Sequence, residues 1–232
     1  MAFNNVERAP DLVAVRNVLV SCFDKEGLDR LVAGLVAANP DCRFFATGGS
    51  FTALRDILGP SSRGSLVAVS DYTGQAEMAG GLVKTLDWKI YLGLLAEPGD
   101  ESHRADLERS GAAAFDMVVA NLYPFERAAA DPRAAPEELR QRIDIGGPAM
   151  LRAAAKNFLR VASVSGPAQY VALLAELGER GGLCLETRRR LAAATFALCS
   201  RFDAAVSARL GGLTPSDLAA AYLAAPAAER RL

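Results

Sequence analysis

Short apolar runs alternate with segments of helical spacing along most of this chain, and that alternation restricts the fold more than any other feature. Val15 to Phe23 reads as a buried strand, and Leu28 to Ala38 follows with Leu28, Leu31, Val32 and Leu35 on one helical side. Arg43 to Ala46 is a second short strand, and Thr47-Gly48-Gly49-Ser50 turns it into a helix that runs through Leu58. Leu66 to Val69, Phe115 to Ala120 and Val161 to Ser165 are further strands. Strand and helix in strict succession predict a parallel sheet with helices on both faces. Ile90 to Ala96 fits a strand or a helix equally. Glu97 to Ser110 reads as an exposed helix with a solvated His103.

The later chain is helical. Ala128 to Pro136 is an Ala/Pro-rich connection, and Glu137 to Arg142 begins a helix that runs into Asp144 to Asn157. In that stretch Gly146-Gly147 allows a turn and a close backbone approach, Pro148 suits a first helical position, and Ala149 to Lys156 are strong helix formers. Arg152 and Lys156 share a face, and free N–H groups at such a helix start suit an anionic ligand. The same residues also fit an Ala-rich core helix. Tyr170 to Arg180 and Leu185 to Leu210 are helices separated by Gly181-Gly182, and Gly211 to Leu232 is a further helix with a charged end.

If the strands are placed correctly, Ser21, Thr47, Ser70 and Tyr123 lie at the carboxyl edge of the sheet, where open parallel sheets bind ligands. Thr47-Gly48-Gly49-Ser50 could hold phosphate on backbone amides or be a plain glycine turn.

Bulk properties narrow the chemistry. With 51% hydrophobic and 23% charged residues and a net charge of −1, nothing points to nucleic acid or an anionic membrane as partner. Apolar runs are broken short of a membrane span, and Met1 to Asp11 shows no secretory signal. Cys22, Cys42, Cys184 and Cys199 have no metal-binding spacing, which favours reduced thiols in the cytoplasm and no metal site. With one histidine, acid–base work falls to Lys, Tyr, Asp or Glu.

Five blocks then occur in a telling order: Val69-Ser70-Asp71-Tyr72-Thr73-Gly74, Glu77-Met78, Val83-Lys84-Thr85-Leu86, Asn121-Leu122-Tyr123-Pro124-Phe125 and Asp144 to Asn157. The set resembles the IMP cyclohydrolase domain of the bifunctional purine-biosynthesis enzyme that also carries an AICAR transformylase domain. The resemblance spans Val15 to Leu210, with residues 1–14 as a tail and 211–232 as a helical extension, and leaves no room for a transformylase domain. It implies a methylglyoxal-synthase-like α/β fold, a parallel sheet with flanking helices and a helical C-terminal part. It further implies a small nucleotide-like substrate, a homodimer, and a reaction without metal or cofactor. The carboxamide nitrogen of formyl-AICAR attacks its own formyl carbon, and water leaves to give IMP.

The resemblance places Lys84, Tyr123, Asp144 and Lys156 in the catalytic group; within it, we assign Lys84 and Tyr123 to the developing oxyanion and Asp144 and Lys156 to orienting and deprotonating the amide. Clustered lysines have lowered pKa values, which suits proton transfer near neutrality. Ser21, Lys25, Thr47, Gly48, Gly49, Ser50, Thr85, Asn121, Gly146, Gly147 and Asn157 fall at substrate-binding positions.

The chain also departs from the pattern. Phe23 and Glu26 stand where the first phosphate loop usually has hydroxyls, and Ala46 replaces a hydroxyl in the second. A carboxylate 4 Å from a phosphate costs on the order of 1 to 4 kcal/mol, depending on the local dielectric. Leu82 replaces an arginine, and Asp87 and Tyr91 replace histidines. Alternatives to the family reaction are therefore a diverged paralogue performing the same ring-closing or related amide chemistry on another substrate, such as one lacking the phosphate, or a non-catalytic binding or partner subunit.

Overall fold

The computed structural model describes residues 6–75, 85–131 and 133–223. They form two compact units. The larger takes the chain up to Leu122 and again from Ile145 to Leu198; the smaller takes Tyr123–Asp144 and the chain from Cys199 onward.

The elements in chain order are β1 (Leu12–Val13), β2 (Asn17–Cys22), α1 (Leu28–Ala38), β3 (Arg43–Ala46), α2 (Gly48–Leu58), α3 (Ser62–Ser65), β4 (Leu66–Ala68) and α4 (Val69–Thr73). Then come α5 (Trp88–Leu95), α6 (Glu101–Ser110), β5 (Met117–Asn121), α7 (Phe125–Ala129), α8 (Pro136–Gln141) and α9 (Gly146–Lys156). β6 (Ala162–Val164), α10 (Tyr170–Arg180), β7 (Leu183–Cys184), α11 (Leu185–Gly211) and α12 (Pro215–Ala221) complete the described chain.

Five strands form the expected parallel sheet in the larger unit, ordered β4-β3-β2-β5-β6. Val18, Leu19, Phe44, Met117, Val118 and Val164 are fully buried, because helices cover both faces and the strands are apolar on both sides. β1 and β7 make a separate antiparallel pair. The order reverses between β2 and β5, the first and fourth strands of the sheet in chain order, so their carboxyl ends flank a topological switch point.

Two guanidinium groups hold this unit together through backbone carbonyls. Arg188, fully buried at the start of α11, donates to the carbonyls of Pro10, Asp11, Phe158, Leu159 and Leu183. Arg160 donates to Gly93, Ala96 and Phe115. A planar fork can serve several acceptors at fixed angles, which an ammonium cannot. α11 is long and apolar enough to cross a bilayer by length and composition alone. Arg188 and Thr195 nevertheless bond into the larger unit, Thr195 Oγ1 lying 3.2 Å from the Ser163 carbonyl and 3.1 Å from its hydroxyl.

Several elements differ from the sequence reading. Ile90 to Ala96 is helical, started by Asp87, whose carboxylate accepts the Lys89 N–H at 2.8 Å. α6 begins at Glu101, where Asp100 caps it by accepting from Ser102 and His103 N–H. His103 is half-buried, and its Nδ1 accepts the Glu97 N–H at 3.2 Å, so it is a structural group rather than a solvated one. The helix begun at Pro136 stops at Gln141 and does not run into α9. α9 already includes Gly146 and Gly147, so Pro148 is its third residue and Lys156 its last, about three turns along.

In the smaller unit, the Phe125 and Phe202 rings meet edge to face with centroids 5.9 Å apart. Tyr222 Oη donates to Glu137 at 2.9 Å, and Thr214 with Asp217 forms a capping box on α12. Arg140, Gln141 and Tyr222 bonds hold the Glu137 carboxyl down at about 2.

Candidate active site

The carboxyl ends of β2 and β3 bring Ser21, Lys25, Thr47, Gly48 and Gly49 together. Ser21 Oγ lies 3.2 Å from Thr47 Oγ1. Thr47 is the N-cap of α2 but its side chain makes no capping bond, which leaves the hydroxyl directed to Ser21. The first N–H groups of α2, on Gly48 and Gly49, have no intrahelical acceptor by geometry, and the helix dipole adds partial positive charge there. Lys25 Nζ donates to the Phe23 carbonyl at 2.8 Å and stands 3.6 Å from where a Cβ on Gly49 would be. Two hydroxyls, an ammonium and a helix start thus converge on one point. Such an arrangement has the charge and donors that suit an oxyanion.

Neighbouring residues hold this cradle rather than line it. Ser50 is buried, with its Oγ accepting the Cys22 N–H at 2.8 Å and donating to the Cys22 carbonyl at 3.3 Å, so it ties α2 to β2. Asn121, across the switch point, clamps the first loop from both sides: its Oδ1 accepts the Asp24 N–H at 2.8 Å and its Nδ2 donates to the Asp24 carbonyl at 2.7 Å. Burial pushes the Cys22 thiol up to about 12 against the pull of Lys25, so it stays protonated. Phe23 is 47% exposed and Glu26 is exposed, both on this loop.

The α9 residues divide in the same way. Lys156 and Arg152 present an exposed face, as their spacing implies. Asn157 is buried, and its Nδ2 donates to the Leu94 and Ala96 carbonyls at 2.8 and 2.9 Å, capping the end of α5. Gly146 carries no positive φ; what excludes a side chain is Thr85, whose buried hydroxyl lies 2.6 Å from the position of a Cβ. Gly147 is buried within the same helix. Tyr123, 49% exposed, and half-buried Asp144 belong to the smaller unit. Lys84, with Glu77, Met78, Leu82 and Val83, lies outside the described residues.

Sequence reasoning placed Asn121 and Asn157 against substrate; the structure occupies both amides with backbone. It missed Arg160 and Arg188 altogether, since surface and buried arginines look alike in a sequence. Among the described residues, Glu97, Asp100 and His103 bring possible metal-ligating atoms within 4.8 Å of one another, but Asp100 and His103 Nδ1 are engaged in building the start of α6.

A doubly wound sheet with a helix start and paired hydroxyls beside its switch point places the chain among α/β proteins whose candidate site lies at the carboxyl ends of the strands. Comparison narrows the class. The family model described as AICARFT/IMPCHase bienzyme matches residues 154–229. The bifunctional purine biosynthesis protein PurH of Enterococcus faecalis is 40% identical over 192 residues, covering 83% of this chain and 36% of that protein. PurH of Xanthomonas campestris pv. campestris is 42% identical over 210 residues, covering 90% and 38%. The chain thus spans little more than a third of the length of these curated relatives. The crystal structure of ForH superposes with a TM-score of 0.70 at 32% identity, over 85% of this chain and the whole of that one. The chain belongs to the AICARFT/IMPCHase family, and its sheet, flanking helices and long C-terminal helix are the fold expected of it.

Proposed function

We propose that this chain closes the purine ring of formyl-AICAR to give IMP. The carboxamide nitrogen forms a bond to the formyl carbon, and the formyl oxygen departs as water with one proton from that nitrogen and one from the formamide nitrogen, which becomes the ring C=N. The observation that supports this most is the convergence of Ser21, Thr47, Lys25 and the α2 N–H groups on one oxyanion position, which suits the substrate's phosphate. In this reading Lys156, exposed on α9, and Asp144 orient the amide and take its proton, and Tyr123 and Lys84 stabilise charge on the formyl oxygen. The work takes place in the cytoplasm as a homodimer, and exposed Phe196 and its alanine neighbours on α11 offer an apolar face for a second copy.

A second reading is favoured by Phe23 and Glu26. Their exposed side chains lie on the loop that carries Lys25, and the match to ForH covers that chain entirely. A diverged paralogue would retain the ring-closing group while taking a different substrate, such as one lacking the phosphate.

Turnover of formyl-AICAR, followed by ultraviolet absorbance, separates the two. Loss of about 10² to 10⁴ in turnover for Lys156→Ala, with folding intact, supports ring closure. Absence of turnover by the wild-type protein, when a related formylated carboxamide is converted, supports the paralogue. Full turnover by Lys156→Ala removes the assignment of that lysine.

A further inference from the structure

The smaller unit contains a cavity of about 320 Å³ between the Arg133–Pro136 segment, the end of α11 and α12. Arg209 of α11 lines it in an under-satisfied state. Its Nε is buried and has no hydrogen-bond acceptor among the described residues, while its NH2 makes a long bond of 3.4 Å to the Ala134 carbonyl. A buried donor on a charged group without an acceptor is costly, and in native proteins such a donor marks an unplaced water, ion or ligand.

The other charged groups around the cavity are already engaged. Arg133 pairs with Asp131 at 3.4 Å. Asp217 turns to the α12 cap, accepting from Thr214 N–H at 2.8 Å and from Thr214 Oγ1 at 2.7 Å. Its carboxyl is held below the usual range by those bonds first and by Arg209 last. Pro136, Leu213 and Ala220 supply an apolar wall. A guanidinium whose buried Nε lacks an acceptor among the described residues, set in a partly apolar hollow, suits one oxyanion group on a small body.

We propose that this cavity is a binding site for a small oxyanion, a phosphate or carboxylate group held by Arg209, distinct from the cradle at Ser21 and Thr47. The probes are inorganic phosphate and acetate, titrated into the whole chain at constant ionic strength. The readout is the Arg209 Nε–Hε resonance in ¹H–¹⁵N spectra, assigned by its loss in Arg209→Gln, which anion binding at the other cradle does not report. A saturable shift of that resonance is expected, and Ala220→Phe, which fills the hollow and leaves the guanidinium in place, should weaken it about tenfold or more. Saturation by phosphate alone identifies a phosphoryl ligand, saturation by acetate alone a carboxylate ligand, and saturation by both a general oxyanion site. No shift with either anion, a shift that never saturates, or equal affinity in Ala220→Phe overturns the proposal, leaving water as the partner of Arg209. If Arg209→Gln fails to fold, Ala220→Phe alone decides the outcome.

Discussion

Tyr91 stands where the family has a histidine, and its hydroxyl is buried with no hydrogen-bond partner among the described residues. Burial pushes its pKa up to about 12, so it is a neutral phenol throughout the physiological range. A phenol in this state contributes its ring to packing and loses the hydration of its oxygen. Tyr91→Phe should therefore leave stability unchanged or raise it by about 1 kcal/mol in urea unfolding. A loss of more than that would mean the hydroxyl has an acceptor. Asn121 and Asn157 illustrate the opposite case. Each amide was read as a substrate contact because it sits in a functional block, yet each is consumed by backbone a long way off in sequence. Side-chain chemistry is legible residue by residue, but the partner that satisfies it is not.

Among the elements, α10 and β7 are joined by one carboxylate. Glu176 accepts from the Cys184 N–H at 2.6 Å and from Thr187 Oγ1 at 2.5 Å, with Arg180 at 3.7 Å. Burial opposes its ionisation, but the Thr187 and Cys184 bonds outweigh that and lower its pKa below the usual 4.5. The unfolded chain then binds more protons than the folded one as pH falls through that value, so stability rises with pH there. The Glu176 contribution is fully present above the unfolded pKa and is lost as pH falls through the lower folded one. Stability measured by denaturant across this acid range should drop less steeply in Glu176→Gln than in the wild type. An unchanged slope would assign the acid sensitivity elsewhere. Element boundaries follow the same logic. α1, β3 and α10 match the ranges read from periodicity, because their apolar faces and glycine or proline flanks are local signals. α5 had no such resolution from its apolar run, and Asp87 capping Lys89 N–H settles it.

For the whole molecule, the larger unit depends on contacts between residues more than a hundred positions apart. Arg188 joins the N-terminal segment at Pro10 and Asp11 to the loop after α9 and to β7. Removing it would leave five carbonyls short of a donor. Arg188→Ala should cost on the order of 3 kcal/mol or more, seen as a lower midpoint in chemical unfolding. Arg188→Lys should recover only part of that, since an ammonium cannot span five acceptors. Equal stability of the two variants would show that the charge alone matters.

The alternating periodicities by themselves determined that this would be a parallel α/β protein, where its main helices and strands lie, and that Ser21 and Thr47 belong to strand ends. Those properties follow from neighbours within a few residues, where side-chain spacing and turn chemistry act directly. Only the tertiary structure decided the β4-β3-β2-β5-β6 order, the convergence of Lys25 on the Gly49 turn, and the division between residues that line the cradle and residues that brace it. Those depend on which distant carbonyl, amide or helix end each polar group meets, and chain position does not encode that directly.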